Sequence, residues 1–161
     1  MIRYARSGDR PAIAEVNRAA FARDDEARLI ERLREAGDVL FELVSEADGE
    51  VGGHILFSRL WADREHLFAA LAPMAVRPGL QRGGVGSALV RAGLENAKEF
   101  GAHGVLVLGH EAYYPRFGFS AETAGQVRAP YSGSPAFMAI ALEPGAFDAP
   151  LSVAYPDAFS G

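Results

Sequence analysis

The chain has 161 residues, 49% of them apolar, a formal net charge of −5 and no cysteine. That length and apolar content suit one domain with a single sizeable core, and the charge leaves no basic footprint for nucleic acid. Without cysteine, disulfides, thiolate metal sites and a thiol nucleophile are all excluded.

No signal-peptide pattern opens the chain, since Met1 to Tyr4 lead straight into Arg6, Asp9 and Arg10. No apolar run approaches the ~20 residues of a membrane span, so a soluble, cytoplasmic protein is expected. Ile2 to Ala5 reads as a short strand. Ser7 or Asp9 then caps a helix that tolerates Pro11 in its first turn and carries Ala12, Ile13, Val16, Ala20 and Phe21 at helical spacing. A second helix restarts at Asp24 or Asp25, turns Leu29, Ile30 and Leu33 inward and stops at Gly37.

Val39 to Ser45 reads as a strand, and Asp48-Gly49 is a strong hairpin signal into Val51 to Trp61. Leu67 to Arg77 is the third antiparallel strand of this meander. Val85 to Phe100 repeats apolar residues at helical spacing, and Gly104 to Gly109 is apolar throughout, as suits a parallel strand buried on both faces. Strand, helix and strand between 67 and 109 therefore make a right-handed crossover unit. A short helix over Glu111 to Phe117 ends at Gly118. A long loop with two prolines and Gly133 leads to a strand over Phe137 to Leu142. The tail from Glu143 holds three prolines and at most a short extended piece around Val153 to Tyr155.

Two stretches carry chemistry. The first is Pro73 to Ser87. Gly83, Gly84 and Gly86 have no β-carbon, so their N–H groups can close on a ligand. The helix behind them adds unpaired N–H groups and the positive end of its dipole, which suits a phosphate or diphosphate. The same pattern also serves a turn that lets a helix pack close to a strand. A Walker loop is ruled out by the missing lysine, and a dinucleotide fingerprint by Leu89, which stands where a third small residue belongs. Pro73 has no N–H for a ladder, so its strand must bulge or lose its neighbour there. Met74 to Val76 would then offer backbone groups to an extended, amide-bearing ligand, as though to another strand. The second stretch is Glu111 to Phe119. Its Tyr114 either carries a proton or packs on the core with its hydroxyl on a carbonyl.

Gln81-Arg82-Gly83-Gly84-Val85-Gly86 resembles the Gln/Arg-x-x-Gly-x-Gly/Ala motif of the GCN5-related N-acetyltransferases (GNAT). Tyr114, five residues before the Phe of Gly118-Phe119, stands at that family's C-terminal tyrosine. The phrases LGHEAYYPRFGF and SPAFMAIALEPGAF are similar to the predicted small acetyltransferases of the YhbS type. The resemblance spans nearly the whole chain. It implies a single domain, 1–161, of the mixed α/β acyl-CoA N-acyltransferase fold: a mostly antiparallel sheet with a β-bulge and a parallel wedge, flanked by about four helices. It further implies acetyl-CoA as co-substrate. The diphosphate would lie on Gln81, Arg82, Gly83, Gly84, Val85, Gly86 and Ser87, and the pantetheine on Met74, Ala75 and Val76. Arg77 and Arg82 can also reach the phosphates from the loop's flank.

The acceptor implied is a small-molecule or peptide amine, and the enzyme a monomer or homodimer. Where many relatives have an Asn, this chain has Gly109 to Glu111, so the resemblance does not carry over the cofactor contact made by that Asn. With no nucleophile elbow and no cysteine, direct attack of the amine on the thioester in a ternary complex is expected. Tyr114 is then the general acid at the departing sulfur, and the Ala75 N–H faces the oxyanion. Glu111 is a provisional general base, beside Glu42, His54, His66 and His110. No paired His spacing points to a metal. Acceptor residues are expected at Phe21 to Glu26 and in the loop Val127 to Phe137. Two alternatives are a non-catalytic acyl-CoA-binding or sensor domain and a module pairing through an exposed edge strand at 137 to 142.

Overall fold

The structure is a computed structural model and describes residues 1–160. β1 (Ile2–Tyr4) runs through a 3-10 turn into α1 (Arg10–Phe21), which has a proline at its start as the sequence requires. Ala22 takes a left-handed conformation with φ 56°, so the chain breaks and restarts as α2 (Asp25–Ala36). Asp25 and Glu26 in its first turn and Arg34 in its last suit the helix dipole, and Gly37 ends it in the left-handed region.

β2 (Val39–Ala47), β3 (Glu50–Ala62) and β4 (Leu67–Val76) form the antiparallel meander. At the first hairpin Asp48 and Gly49 both take positive φ, 53° and 77°, as a turn matched to strand twist demands. α3 (Val85–Glu99) then crosses to β5 (Ala102–Leu108), which lies parallel to β4. β6 (Val127–Arg128), β7 (Phe137–Ala141) and β8 (Leu151–Ala154) complete an eight-stranded sheet in the order β1-β2-β3-β4-β5-β7, with β8 bridging β3 and β6. On β7, the N–H and C=O of Ala139 are exchanged with Ser120 at 3.0 Å each, and Phe137 N–H is taken by Ser134 at 3.1 Å.

Among the described residues there are three α-helices, not four. The expected helix at 111–117 is a 3-10 turn over Tyr114–Phe117, because the stretch is too short to offset nucleation. The two-residue β6 falls inside the expected loop. No described helix is long and apolar enough to cross a membrane.

Alternation along β3 splits the core. Ile55 and Phe57 face α3 with Phe41, Leu89, Val105 and Phe119, whereas Leu56 faces α1 and α2 with Ile13, Val16, Ile30 and Leu33. On this second face lies a buried polar chain. Arg34 of α2 grips both oxygens of Glu42 on β2 at 2.7 and 3.0 Å, and the same carboxylate stands 2.8 Å from His54 Nε2 on β3. His54 Nδ1 in turn lies 3.3 Å from Asn17 Nδ2 on α1, whose Oδ1 is buried without a partner. An ionised carboxylate only accepts and an amide nitrogen only donates, so His54 is neutral with its proton on Nε2.

Burial alone would raise the Glu42 carboxyl, yet its hydrogen bonds from His54 and Arg34 outweigh that and hold it at about 2. Burial pushes His54 below the ordinary histidine range, with Glu42 pulling the other way. Both shifts have one sign. On acidification the unfolded chain takes up protons that the folded chain refuses, first at His54 below about pH 6.5 and then at Glu42 below about pH 4.5. Stability measured by urea melts is therefore expected to be flat above neutrality and to fall in these two stages. At pH 7 Glu42→Gln should cost about 3 kcal/mol, since it leaves Arg34 without its counter-charge.

Candidate active site

β4 and β5 pair only from Leu67 opposite Ala102 to Ala70 opposite Leu106. Beyond that point β4 stays with β3 as far as Val76, while β5 stays with β7 as far as Leu108. The strands part and leave a wedge. Ala72 and Pro73 together oppose the single residue Leu56, so the bulge falls where Pro73 predicts it.

Ladder geometry sets which groups line the wedge. Arg77 N–H bonds Gly52 C=O at 2.9 Å, which makes Ala75 opposite His54 the next hydrogen-bonded pair of this antiparallel ladder. The Ala75 N–H is therefore spent on β3, and its expected place at the oxyanion is corrected. The groups of Met74 and Val76 alternate to the other side and face the wedge. In keeping with this, Gln81 Nε2 reaches the Val76 carbonyl at 3.0 Å. Gln81 thus ties the following loop to the end of β4.

That loop passes through a 3-10 turn at Pro78–Leu80 and then two left-handed residues, Arg82 at φ 66° and Gly84 at φ 92°. Left-handed backbone is strained for arginine and free for glycine. The first bond of α3 runs from Ala88 N–H to Gly84 C=O at 3.0 Å, and no side chain caps the helix. Among the described residues, the N–H groups of Val85, Gly86 and Ser87 have no protein acceptor, as helix geometry dictates for a first turn. Gln81, Arg82, Gly83 and Gly84 are exposed. A β-carbon at Gly84 would meet no protein atom, whereas one at Gly86 would stand 3.2 Å from the Tyr113 hydroxyl and 3.4 Å from Met74 Sδ. Arg77 is engaged elsewhere, on the Val51 carbonyl and on Glu15.

Tyr114 is 7% exposed and packs edge-on against Tyr113 and Phe119. Its ring lies against Gly109, where β5 ends: a β-carbon there would sit 2.5 Å from Tyr114 Cε2. Burial, with a smaller contribution from Tyr113, pushes its phenol up to about 12. The residue is thus a neutral donor across the physiological range. Tyr113 turns its hydroxyl to Ser87 Oγ at 3.0 Å.

The base candidates scatter. Glu111 and His110 are exposed on the turn before Tyr114. Glu42 and His54 are paired to each other on the α1/α2 face. His66 stacks on His103 at the opposite end of β5, where Leu67 faces Ala102. Asp24, Asp25 and Glu26 are neutralised by Arg18, Arg23 and Arg28. Among the described residues no three His, Asp or Glu side chains gather as a metal site.

The family model of the acetyltransferase (GNAT) family matches residues 10–119. The chain is 40% identical over 116 residues to the uncharacterized N-acetyltransferase YjhQ of Escherichia coli K12, covering 69% of this chain and 64% of YjhQ, so it spans a little under two thirds of that relative. It is 36% identical over 128 residues to the uncharacterized N-acetyltransferase YhbS of the same strain, covering 78% and 77% of the two chains. Among solved structures, the fold matches the GNAT family N-acetyltransferase YhbS from Escherichia coli in complex with CoA, with a TM-score of 0.93, 32% identity and coverage of 100% and 92%. It also matches a GNAT family acetyltransferase from Brucella melitensis in complex with acetyl-CoA, with a TM-score of 0.82, 33% identity and coverage of 99% and 97%. The chain belongs to the GNAT acetyltransferase family.

Gly109 gives the site a mechanical test. Gly109→Ala drives a methyl group into the Tyr114 ring, and is expected to cost about 1–3 kcal/mol in a thermal or urea melt. Gly125→Ala, with nothing within 4 Å of the added carbon, should leave the melt unchanged.

Proposed function

We propose that this chain transfers the acetyl group of acetyl-CoA to a primary amine by direct attack within a ternary complex. The observation that carries the reading is the wedge between β4 and β5 opening beside the uncapped start of α3. One feature offers strand-like N–H groups and the other offers helix-end N–H groups, and a ligand with amides at one end and a diphosphate at the other needs both. The residues present fit that ligand. Gly84 leaves open space where any other residue would put a side chain, and Val85, Gly86 and Ser87 point unshared donors at one place.

When bound, acetyl-CoA supplies an activated acyl group with a thiolate as leaving group. The chain's own residues do the rest. Gly83, Gly84, Val85, Gly86 and Ser87 hold the diphosphate, with the strained Arg82 setting the curve of the loop. Met74 and Val76 take the pantetheine as a neighbouring strand, and the Met74 N–H, next to the bulge, is the donor for negative charge on the thioester oxygen. Much of the acceleration comes from positioning two reactants in one crevice.

Tyr114 is the donor at sulfur. With its phenol at about 12, complete transfer to an alkylthiolate of pKa about 8.5 runs uphill. Its hydroxyl therefore acts by hydrogen-bonding the departing thiolate, and the proton released by the attacking amine completes the exchange. That division of labour asks little of a dedicated base and agrees with the exposed, unpaired setting of Glu111.

Two variants test the reading. Calorimetry should register CoA binding to the wild-type chain and lose it in Gly84→Glu, whose carboxylate fills the anion's place. Tyr114→Phe should lower kcat by about a hundredfold in a free-thiol assay, while the affinity for CoA changes little. The assay needs an amine found by screening polyamines, amino acids, aminoglycosides and peptide N-termini. A wild-type chain that binds CoA but releases no thiol with any of them is a binding or sensor domain instead.

A further inference from the structure

The Tyr113 and Ser87 hydroxyls lie 3.0 Å apart at the first turn of α3. Tyr113 has little freedom there. Arg116 donates from Nε to its carbonyl at 2.9 Å and lays its guanidinium 4.6 Å from the ring centroid. Tyr114 and Phe117 each meet the ring edge-on at 5.2 Å. Its amide is held by His110 C=O at 3.1 Å. The phenol oxygen is thereby fixed beside Gly86, where an added β-carbon would stand 3.2 Å away.

Each hydroxyl has one proton to give, so the pair can be ordered in two ways. If Ser87 donates to Tyr113, the serine turns lone pairs toward the open end of α3, and an anion there is repelled. If Tyr113 donates to Ser87, the serine proton is released and can point at the anion, and the two O–H groups polarise in one direction. A phenol is also the more acidic of the two, hence the better donor.

The geometry points to Tyr113 as a positioning residue that donates to Ser87 and so aims the Ser87 proton at the diphosphate of the acyl donor. The inference rests on the CoA reading above and adds to it a residue that never touches the thioester. It also explains why two adjacent tyrosines serve one site. Tyr114 faces the end of β5, whereas Tyr113 faces the start of α3.

The test is a double-mutant cycle read by calorimetry with CoA on the full chain. Tyr113→Phe keeps the ring and its packing and should weaken CoA about tenfold, the size of one charge-assisted hydrogen bond. In a Ser87→Ala background the same change should have less than a twofold effect, because the relay has already lost its middle member. A hydroxyl pair that merely pins Tyr113 to α3 would lower the melting temperature and leave the affinity alone. Affinity unchanged in Tyr113→Phe, or weakened equally in both backgrounds, overturns the inference while the CoA reading stands. Absence of CoA binding by the wild type overturns both.

Discussion

A backbone group taken out of a sheet must find another partner, and that requirement shapes the upper half of this molecule. β4 loses β5 after Ala70 and keeps β3 to Val76, so one side of its last residues has no strand beside it. The protein answers only part of the demand itself, through Gln81 on the Val76 carbonyl. The loop that supplies Gln81 also turns the start of α3 toward the same opening. The gap in the sheet and the bare helix end are thus one construction, joined through a single side-chain amide.

The opposite face of the sheet is closed by different means. α1 and α2 bury an apolar stripe there, but a line of polar groups from Arg34 through Glu42 and His54 to Asn17 crosses the interface. Such a line adds little to net stability compared with well-packed apolar residues. What it does is restrict the choices. Two helices and two strands must sit in one register for every donor to meet an acceptor, and α1 ends four residues after Asn17, where the connection to α2 begins. Positioning of that connection follows from polar groups buried between α1, α2 and the sheet.

Most of this architecture is legible in the sequence because its signals are local. Asp48-Gly49 announces the hairpin, Gly37 the end of a helix, Pro73 the bulge, and the glycines at 83, 84 and 86 the bare helix end. What escapes is set by relations between distant residues. The direction of the Ala75 N–H depends on which partner it meets across β3, and a register shift of one residue would reverse it. The buried polar chain joins positions 8, 12 and 37 residues apart, so no window of sequence contains it. Tyr113 and Tyr114 look alike in the sequence, and only the fold separates them, burying one against β5 and turning the other to Ser87. The turn at Tyr114–Phe117 is ambiguous even locally: Pro115 is as compatible with a helix start as with a tight turn, and length decides between them.

The pairing of Ser120 with Ala139 has a consequence for how copies of this chain meet. Lone outer strands invite recruitment of neighbouring polypeptides, the route by which sheets grow into fibrils or continuous dimers. Along β7 that route is obstructed from within, since Ala139 has both its outward groups engaged and Phe137 its N–H. At the other margin β1 is three residues long, too short to template much. Association, where it occurs, must therefore proceed through side-chain surfaces, and crowding the protein should not on that account convert it into extended β-structure.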